Sequence, residues 1–183
     1  MARQDILARR VAALRIAFGL IWAVDAGFKW TGSFVHGFRD TIAGAAQGQP
    51  GWLRPWFHFW IKTVGNHGTF FAYATAAAET LIATGLILGF GRRVIYALAF
   101  VFGLAIWAIP EGLGGPYSSG STDIGAGVVY AVVAAALYGL DTAIEQPAWA
   151  VDAWIERRRP GWRLVAEPAG RRKADADVRV RGC

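Results

Sequence analysis

The stretch TFFAYATAAAETLIATGLILGF, residues 69–90, decides the fold of this chain. It is predominantly apolar and long enough to cross the hydrocarbon core of a bilayer as a helix, which takes about 20 residues. One acidic residue, Glu79, interrupts it at mid-length. A charge at the centre of a membrane helix costs about 2.5–3.5 kcal/mol on insertion scales. We therefore expect the protein to place Glu79 among other groups of its own chain.

Three further apolar stretches have the character of membrane spans, at residues 7–28, 94–109 and 124–144. The composition agrees, because 55% of the 183 residues are hydrophobic and nine are Trp. The mean hydropathy of +0.33 is too high for an ordinary soluble domain of this size. The sequence therefore predicts an all-α protein whose residues 1–145 form an integral membrane four-helix transmembrane bundle.

Basic residues mark one side of this predicted bundle. Lys and Arg concentrate near the N-terminus, in the turn at residues 91–93 and in the tail after residue 156. With four spans, all three places fall on one side, which the positive-inside rule makes cytoplasmic. We expect a multi-pass protein of the inner (cytoplasmic) membrane with both termini in the cytoplasm. We do not expect nucleic-acid binding, because the aromatic residues do not alternate with Lys and Arg.

Two segments outside the spans carry helical patterns of their own. The outer connection, residues 30–68, contains an aromatic-rich part at helical spacing, and Trp favours the headgroup zone. It predicts an interfacial helical segment that lies flat on the membrane or folds back over the bundle. Residues 146–183 begin with an amphipathic stretch and become polar and basic from Pro160. They predict a cytoplasmic interfacial helix followed by a disordered tail.

Six ionisable residues lie inside or beside the spans: Arg15, Asp25, Lys29, Glu79, Glu111 and Asp123. Asp25 and Lys29 are four residues apart, so they share a helix face and can pair. The predicted topology places all six except Arg15 in the outer half or near the midplane. We expect one polar pocket that opens outward. A set of ion pairs that only fixes the helix packing would use the same residues, and both explanations stay open.

A metal site is a further possibility, since all three histidines lie in the outer connection. His36 and His58 together with Glu111 or Asp25 would form a mixed nitrogen and oxygen set that suits Zn, Cu or Fe. None of the histidines has a recognised ligand spacing, and a hydrogen-bonded packing role explains them equally. The single cysteine, Cys183, excludes a thiolate cluster.

These residues resemble the DoxX/DoxD group of small four-helix membrane proteins. The resemblance includes residues 14–19 with Asp25 and Lys29 in the first span, Glu79 in the second, and the turn at residues 89–93. The string EGLGGPY at residues 111–117, followed by STDIG, is similar to the DoxD-type branch and is the more specific part.

The resemblance implies a four-helix transmembrane bundle, and some members are the small subunit of a thiosulfate:quinone oxidoreductase. A quinone would then be the cofactor, and another protein subunit would complete the enzyme. Glu79, Asp25 and Arg15 are the candidate catalytic residues. The candidate quinone-binding residues are Lys29, Trp107, Glu111, Tyr117 and Asp123. The alternative function is a non-enzymatic membrane anchor or assembly subunit, or a metal-handling membrane protein.

Overall fold

The computed structural model describes residues 2–115 and 124–168. Within these ranges the chain is all-α and contains no strand, which confirms the predicted fold class at that level. Its α-helices are α1 Ala2–Lys29, α2 Gly32–Gly44, α3 Arg54–Val64, α4 Gly68–Leu88, α5 Arg92–Ala108, α6 Ala126–Thr142, α7 Val151–Arg158 and α8 Arg163–Ala166.

The four long helices pack as two close pairs, α1 with α4 and α5 with α6. Glycine makes the close approach possible. A Cβ on Gly103 of α5 would lie 2.8 Å from the carbonyl oxygen of Gly127, and one on Gly19 of α1 would lie 2.9 Å from Leu86 on α4. Small residues at such contacts let helix backbones approach closely. The contacts of α4 with α5 and of α1 with α6 then join the two pairs.

Apolar side chains cover the outside of this arrangement as well as its inside. Trp22 and Leu86 are fully buried, whereas Phe28, Val101 and Val132 are each more than 60% exposed. Two helical stretches, Ala2–Lys29 and Gly51–Leu88, are long and apolar enough to cross a membrane, and α6 is a shorter apolar helix. Core helices of soluble proteins also meet that criterion. Helices that are apolar all round are either buried in protein or embedded in lipid.

The outer connection folds as two helices that cover one end of the long helices. Helix α2 packs against α3 and α4. It buries Val35 and Ile42, and α3 buries Phe57 and Val64. The Trp56 indole N–H of α3 donates a hydrogen bond to the carbonyl of Ala108, at the end of α5 (2.8 Å). The segment therefore folds back over the long helices, which was one of the two expected arrangements.

Buried ion pairs of Arg92 hold the opposite end together. Its guanidinium bonds both carboxylate oxygens of Asp141 on α6, at 2.9 and 3.0 Å, and one oxygen of Asp152 on α7, at 3.1 Å. Asp152 also accepts from the backbone N–H groups of Gly91 and Arg92 at the start of α5. Burial acts to lower the pKa of Arg92, but Asp141 and Asp152 outweigh it and hold that pKa above its ordinary value.

The sequence predicted disorder from Pro160 onward, but the chain is folded there as far as residue 168. It forms a 3-10 turn at Pro160–Trp162 and then α8, which packs on α5. The Trp162 indole N–H donates to Asp152 (2.7 Å), and Arg93 donates to the carbonyl of Leu164 (3.0 Å). The sequence pattern missed this because one half-buried tryptophan among arginines leaves no periodic signal.

We expect Asp152→Asn to destabilise the protein strongly. The substitution keeps the size of the side chain but leaves the buried Arg92 with one carboxylate fewer, and breaking a buried ion pair costs about 3–5 kcal/mol. For a chain of this size, that lowers the thermal unfolding midpoint by roughly 10 °C. Circular dichroism of the purified protein in detergent measures this midpoint for the variant and the wild type.

Asp5→Asn is the matched control, because Asp5 is exposed in the first turn of α1. Its unfolding midpoint should equal that of the wild type. Equal midpoints for both variants would contradict a structural role for the Arg92 ion pairs.

Candidate functional site

A cavity of about 330 Å³ lies between α4, α5, the end of α1 and the covering helices α2 and α3. This volume is in the range of small-molecule sites, about 300–1,000 Å³. Aromatic rings form much of the wall, from Phe34, Phe38, Trp60, Phe71 and Phe102. The polar side chains on the wall are those of Lys29, Thr41, Thr75, Glu79 and Glu111.

Glu79 is a buried polar residue of the cavity that forms no hydrogen bond within the described chain. It is fully buried, and neither carboxylate oxygen has a hydrogen-bond partner within the described chain. It follows the start of α4 by eleven residues, which is roughly 16 Å along the helix. Buried polar groups are nearly always paired, because leaving one unpaired costs about 1–3 kcal/mol. Glu79 therefore lies beside the cavity without the hydrogen-bond partner that a buried carboxyl requires.

Trp60 supplies a second unused polar group. Its indole Nε1 is buried and has no hydrogen-bond partner among the described residues, and its ring lines the same cavity. The neighbouring Trp56 differs, because its N–H is bonded to the carbonyl of Ala108. An indole N–H is a donor only, so Trp60 suits an acceptor atom of a ligand.

Lys29 and Asp25 form the pair that their spacing predicted. The Lys29 Nζ lies 3.0 Å from an Asp25 carboxylate oxygen, and both side chains are partly exposed. Lys29 also lies 5.0 Å from the centre of the Phe34 ring. Of this pair, Lys29 reaches the cavity wall, so it presents a partly neutralised positive charge there.

Glu111 lines the cavity but is engaged in the fold. Its carboxylate accepts from the backbone N–H of Gly127 in the first turn of α6, at 2.9 and 3.2 Å. A carboxylate there is stabilised by the helix dipole and by otherwise unpaired N–H groups. Glu111 therefore caps α6, and its place on the cavity wall follows from that role.

Two other candidates lie away from the cavity. Arg15 reaches neither Glu79 nor the surface, since it donates to the carbonyls of Leu86 on α4 and Trp149 after α6. The Leu86 carbonyl lies in the last turn of α4, where carbonyl groups lack a helical partner. Trp107 does not line the cavity. Its indole N–H donates to the carbonyl of Ile124 (2.8 Å).

Tyr117 and Asp123 lie outside the described residues. Of the histidines predicted for a metal, His36 bonds the carbonyl of Gly32 on its own helix (2.7 Å). Across residues 2–115 and 124–168, no three His, Cys, Asp or Glu side chains converge in a way that could hold a metal ion. The metal site at His36 and His58 stays a prediction, with no support from the described geometry.

Sequence reasoning missed the aromatic wall, although a signal for it was present. Phe71, Thr75 and Glu79 follow one another at intervals of four, so they share one face of α4. Phe34 and Phe38 repeat that spacing on α2, with ring centres 5.6 Å apart. Trp60 has no such signal, because its position depends on how α3 folds over the bundle.

Comparisons with protein-family models, with curated proteins and with solved structures gave no match. No family is therefore assigned, and the resemblance to the DoxX/DoxD group stays a prediction. The geometry itself defines the site as an aromatic cavity beside an unpaired indole N–H, Trp60, and an unpaired carboxyl, Glu79. Such a site can hydrogen-bond a flat apolar ligand and exchange a proton with it.

We expect Glu79→Met and Glu111→Met to change stability in opposite directions. The first removes an unpaired buried carboxyl and replaces it with an apolar side chain of similar volume, so the ligand-free protein gains about 1–3 kcal/mol. The second removes a helix cap and loses about 0.5–2 kcal/mol. Thermal unfolding of both variants in detergent gives the comparison. Equal destabilisation would mean that Glu79 has a structural partner in the folded protein.

Proposed function

We propose that this chain is a quinone-binding membrane subunit of an oxidoreductase, with the cavity as its quinone site. The observation that carries the proposal is the buried, unpaired carboxyl of Glu79 on an aromatic wall. A quinone ring is flat and apolar, so it suits contact with Phe and Trp rings. Its carbonyl accepts a hydrogen bond from a protonated carboxyl, and a quinol hydroxyl donates to an ionised one.

The distribution of charge and apolar surface supports a place in the inner membrane. Leu20, Val24 and Phe70 are among the large apolar side chains that face outward, each more than half exposed, whereas Arg15 and Glu79 are buried. A soluble protein has the opposite arrangement, because large exposed apolar surfaces associate in water. A bilayer around the long helices would cover those side chains, and the basic residues favour cytoplasmic termini.

In this proposal, the two unpaired polar groups each serve one oxygen of a quinone. A para-quinone carries oxygens on opposite sides of its ring. The Trp60 indole N–H would donate to one oxygen, and Glu79 would hydrogen-bond the other and exchange its proton. The electrons for reduction would come from a partner subunit, and the resemblance to the DoxD-type branch favours thiosulfate as their source.

The single cysteine makes the predicted topology directly testable. An impermeant maleimide should label Cys183 in inverted membrane vesicles and not in right-side-out ones, because the C-terminus is expected in the cytoplasm. In a Cys183→Ser background, Asn66→Cys should show the reverse pattern, since Asn66 is exposed in the outer connection. Labelling of both positions from one side would contradict the four-span topology.

We expect Glu79→Met to bind quinone about 10–100-fold more weakly than the wild type, because a buried hydrogen bond to a carboxyl is lost. Calorimetric titration of purified protein with short-chain ubiquinone and menaquinone analogues measures the affinity. The stability prediction for Glu79→Met ensures that a misfolded variant is not mistaken for a binding defect. Glu145→Met is the control, since Glu145 is exposed beyond the end of α6.

Trp60→Phe tests the second contact, because it keeps an aromatic ring and removes only the N–H donor. We expect about fivefold weaker quinone binding, as for a hydrogen bond worth about 1 kcal/mol. Trp56→Phe is the matched control, because the Trp56 N–H is bonded to the Ala108 carbonyl. If the wild type shows no saturable quinone binding, the proposal fails, and the non-enzymatic anchor or assembly subunit becomes the better explanation.

A further inference from the structure

The acidic and basic side chains of residues 149–167 point in opposite directions. Asp152 and Glu167 are buried, and the Glu156 side chain is only 12% exposed. The basic residues are all exposed: Arg157, Arg158, Arg159 and Arg163. The acids therefore face the protein, and the outer surface of this segment is strongly positive. We name this surface, from Trp149 to Arg163, the basic aromatic surface.

Helix α7 separates the two kinds of residue by its geometry. Asp152 and Glu156 are four residues apart on the face toward Arg92, at 3.1 and 3.7 Å from its guanidinium. Val151, Trp154 and Arg158 follow the spacing of the opposite face, and all three are exposed. The Arg158 guanidinium carbon lies 4.0 Å from the centre of the Trp154 ring. The outer face thus combines apolar, aromatic and cationic groups.

Trp149 extends the same surface through an unusual backbone. Its φ is +48°, a conformation that bulky residues rarely adopt, and its side chain is 59% exposed. The buried Arg15 fixes it by donating to the Trp149 carbonyl (2.7 Å). The fold therefore holds an indole in an exposed position at a cost in backbone strain, which indicates use of that indole outside the chain.

We infer that the basic aromatic surface binds anionic phospholipid headgroups of the cytoplasmic leaflet. Arginines pair with lipid phosphates, and Trp rings favour the boundary between headgroups and acyl chains. An acidic protein would satisfy the arginines equally well. Lipid is favoured because the same surface exposes Trp149 and Trp154, and Leu164 beside it is 61% exposed. The inference requires the chain to lie in a membrane but is independent of quinone binding.

The test compares two triple variants of the full chain in neutral detergent. One is R157Q/R158Q/R159Q on the basic aromatic surface. The matched control is R39Q/R54Q/K62Q, which removes the same charge from exposed positions of α2 and α3 at the opposite end. Fluorescently labelled phosphatidylglycerol is titrated into each protein, with labelled phosphatidylcholine, inorganic phosphate and a polyglutamate peptide as separate arms.

We expect phosphatidylglycerol to bind the wild type and the control equally. The R157Q/R158Q/R159Q variant should bind it at least about tenfold more weakly, because each arginine near an anionic surface strengthens binding about fivefold. Higher salt should reduce the difference. Three results would overturn the inference: equal binding of phosphatidylcholine, displacement of phosphatidylglycerol by inorganic phosphate or polyglutamate, or equal affinity of the two triple variants.

Discussion

The buried contact of Arg92 with Asp141 and Asp152 is the interaction on which the arrangement of the helices depends. It joins α5, α6 and α7. The backbone N–H of Asp152 also donates to the carbonyl of Gly89 at the end of α4 (3.1 Å). Arg15 adds α1 through its bonds to Leu86 and Trp149. The short segment after α6 therefore fastens both helix pairs at one end, and the cavity lies between them toward the other.

Buried charge has different partners at the two ends of the long helices. At the Arg92 end, opposite charges meet at hydrogen-bond distance, so desolvation is offset by direct pairing. At the cavity end, Glu79 has no such partner, and the surrounding wall is largely aromatic. A carboxyl in that environment interacts more strongly with any group that enters than it would in water. The first arrangement stabilises the fold, and the second favours a ligand.

The sequence predicted the long helices from their apolar stretches, although α1 begins at Ala2, five residues before the predicted start at residue 7. Helix α4 begins and ends within two residues of the predicted span at 69–90. The sequence did not predict the long-range contacts between helices. The sequence interpretation treated Arg92 as a topology signal, yet it is 1% exposed. Its partners are separated from it by 49 and 60 residues, and no local pattern links residues at that separation.

The ionisable residues in or beside the long helices need not share a single role. Arg15 bonds helix-end carbonyls, Glu111 caps α6, and Asp25 pairs with Lys29. Helix packing therefore accounts for these four residues, in agreement with the explanation that the charged residues only fix the packing. Glu79 is the exception among the described members of this set, since its carboxyl forms no hydrogen bond in the fold. A protein that keeps an unpaired carboxyl at the wall of a cavity loses stability unless something binds there, and this makes Glu79 the strongest argument for a ligand.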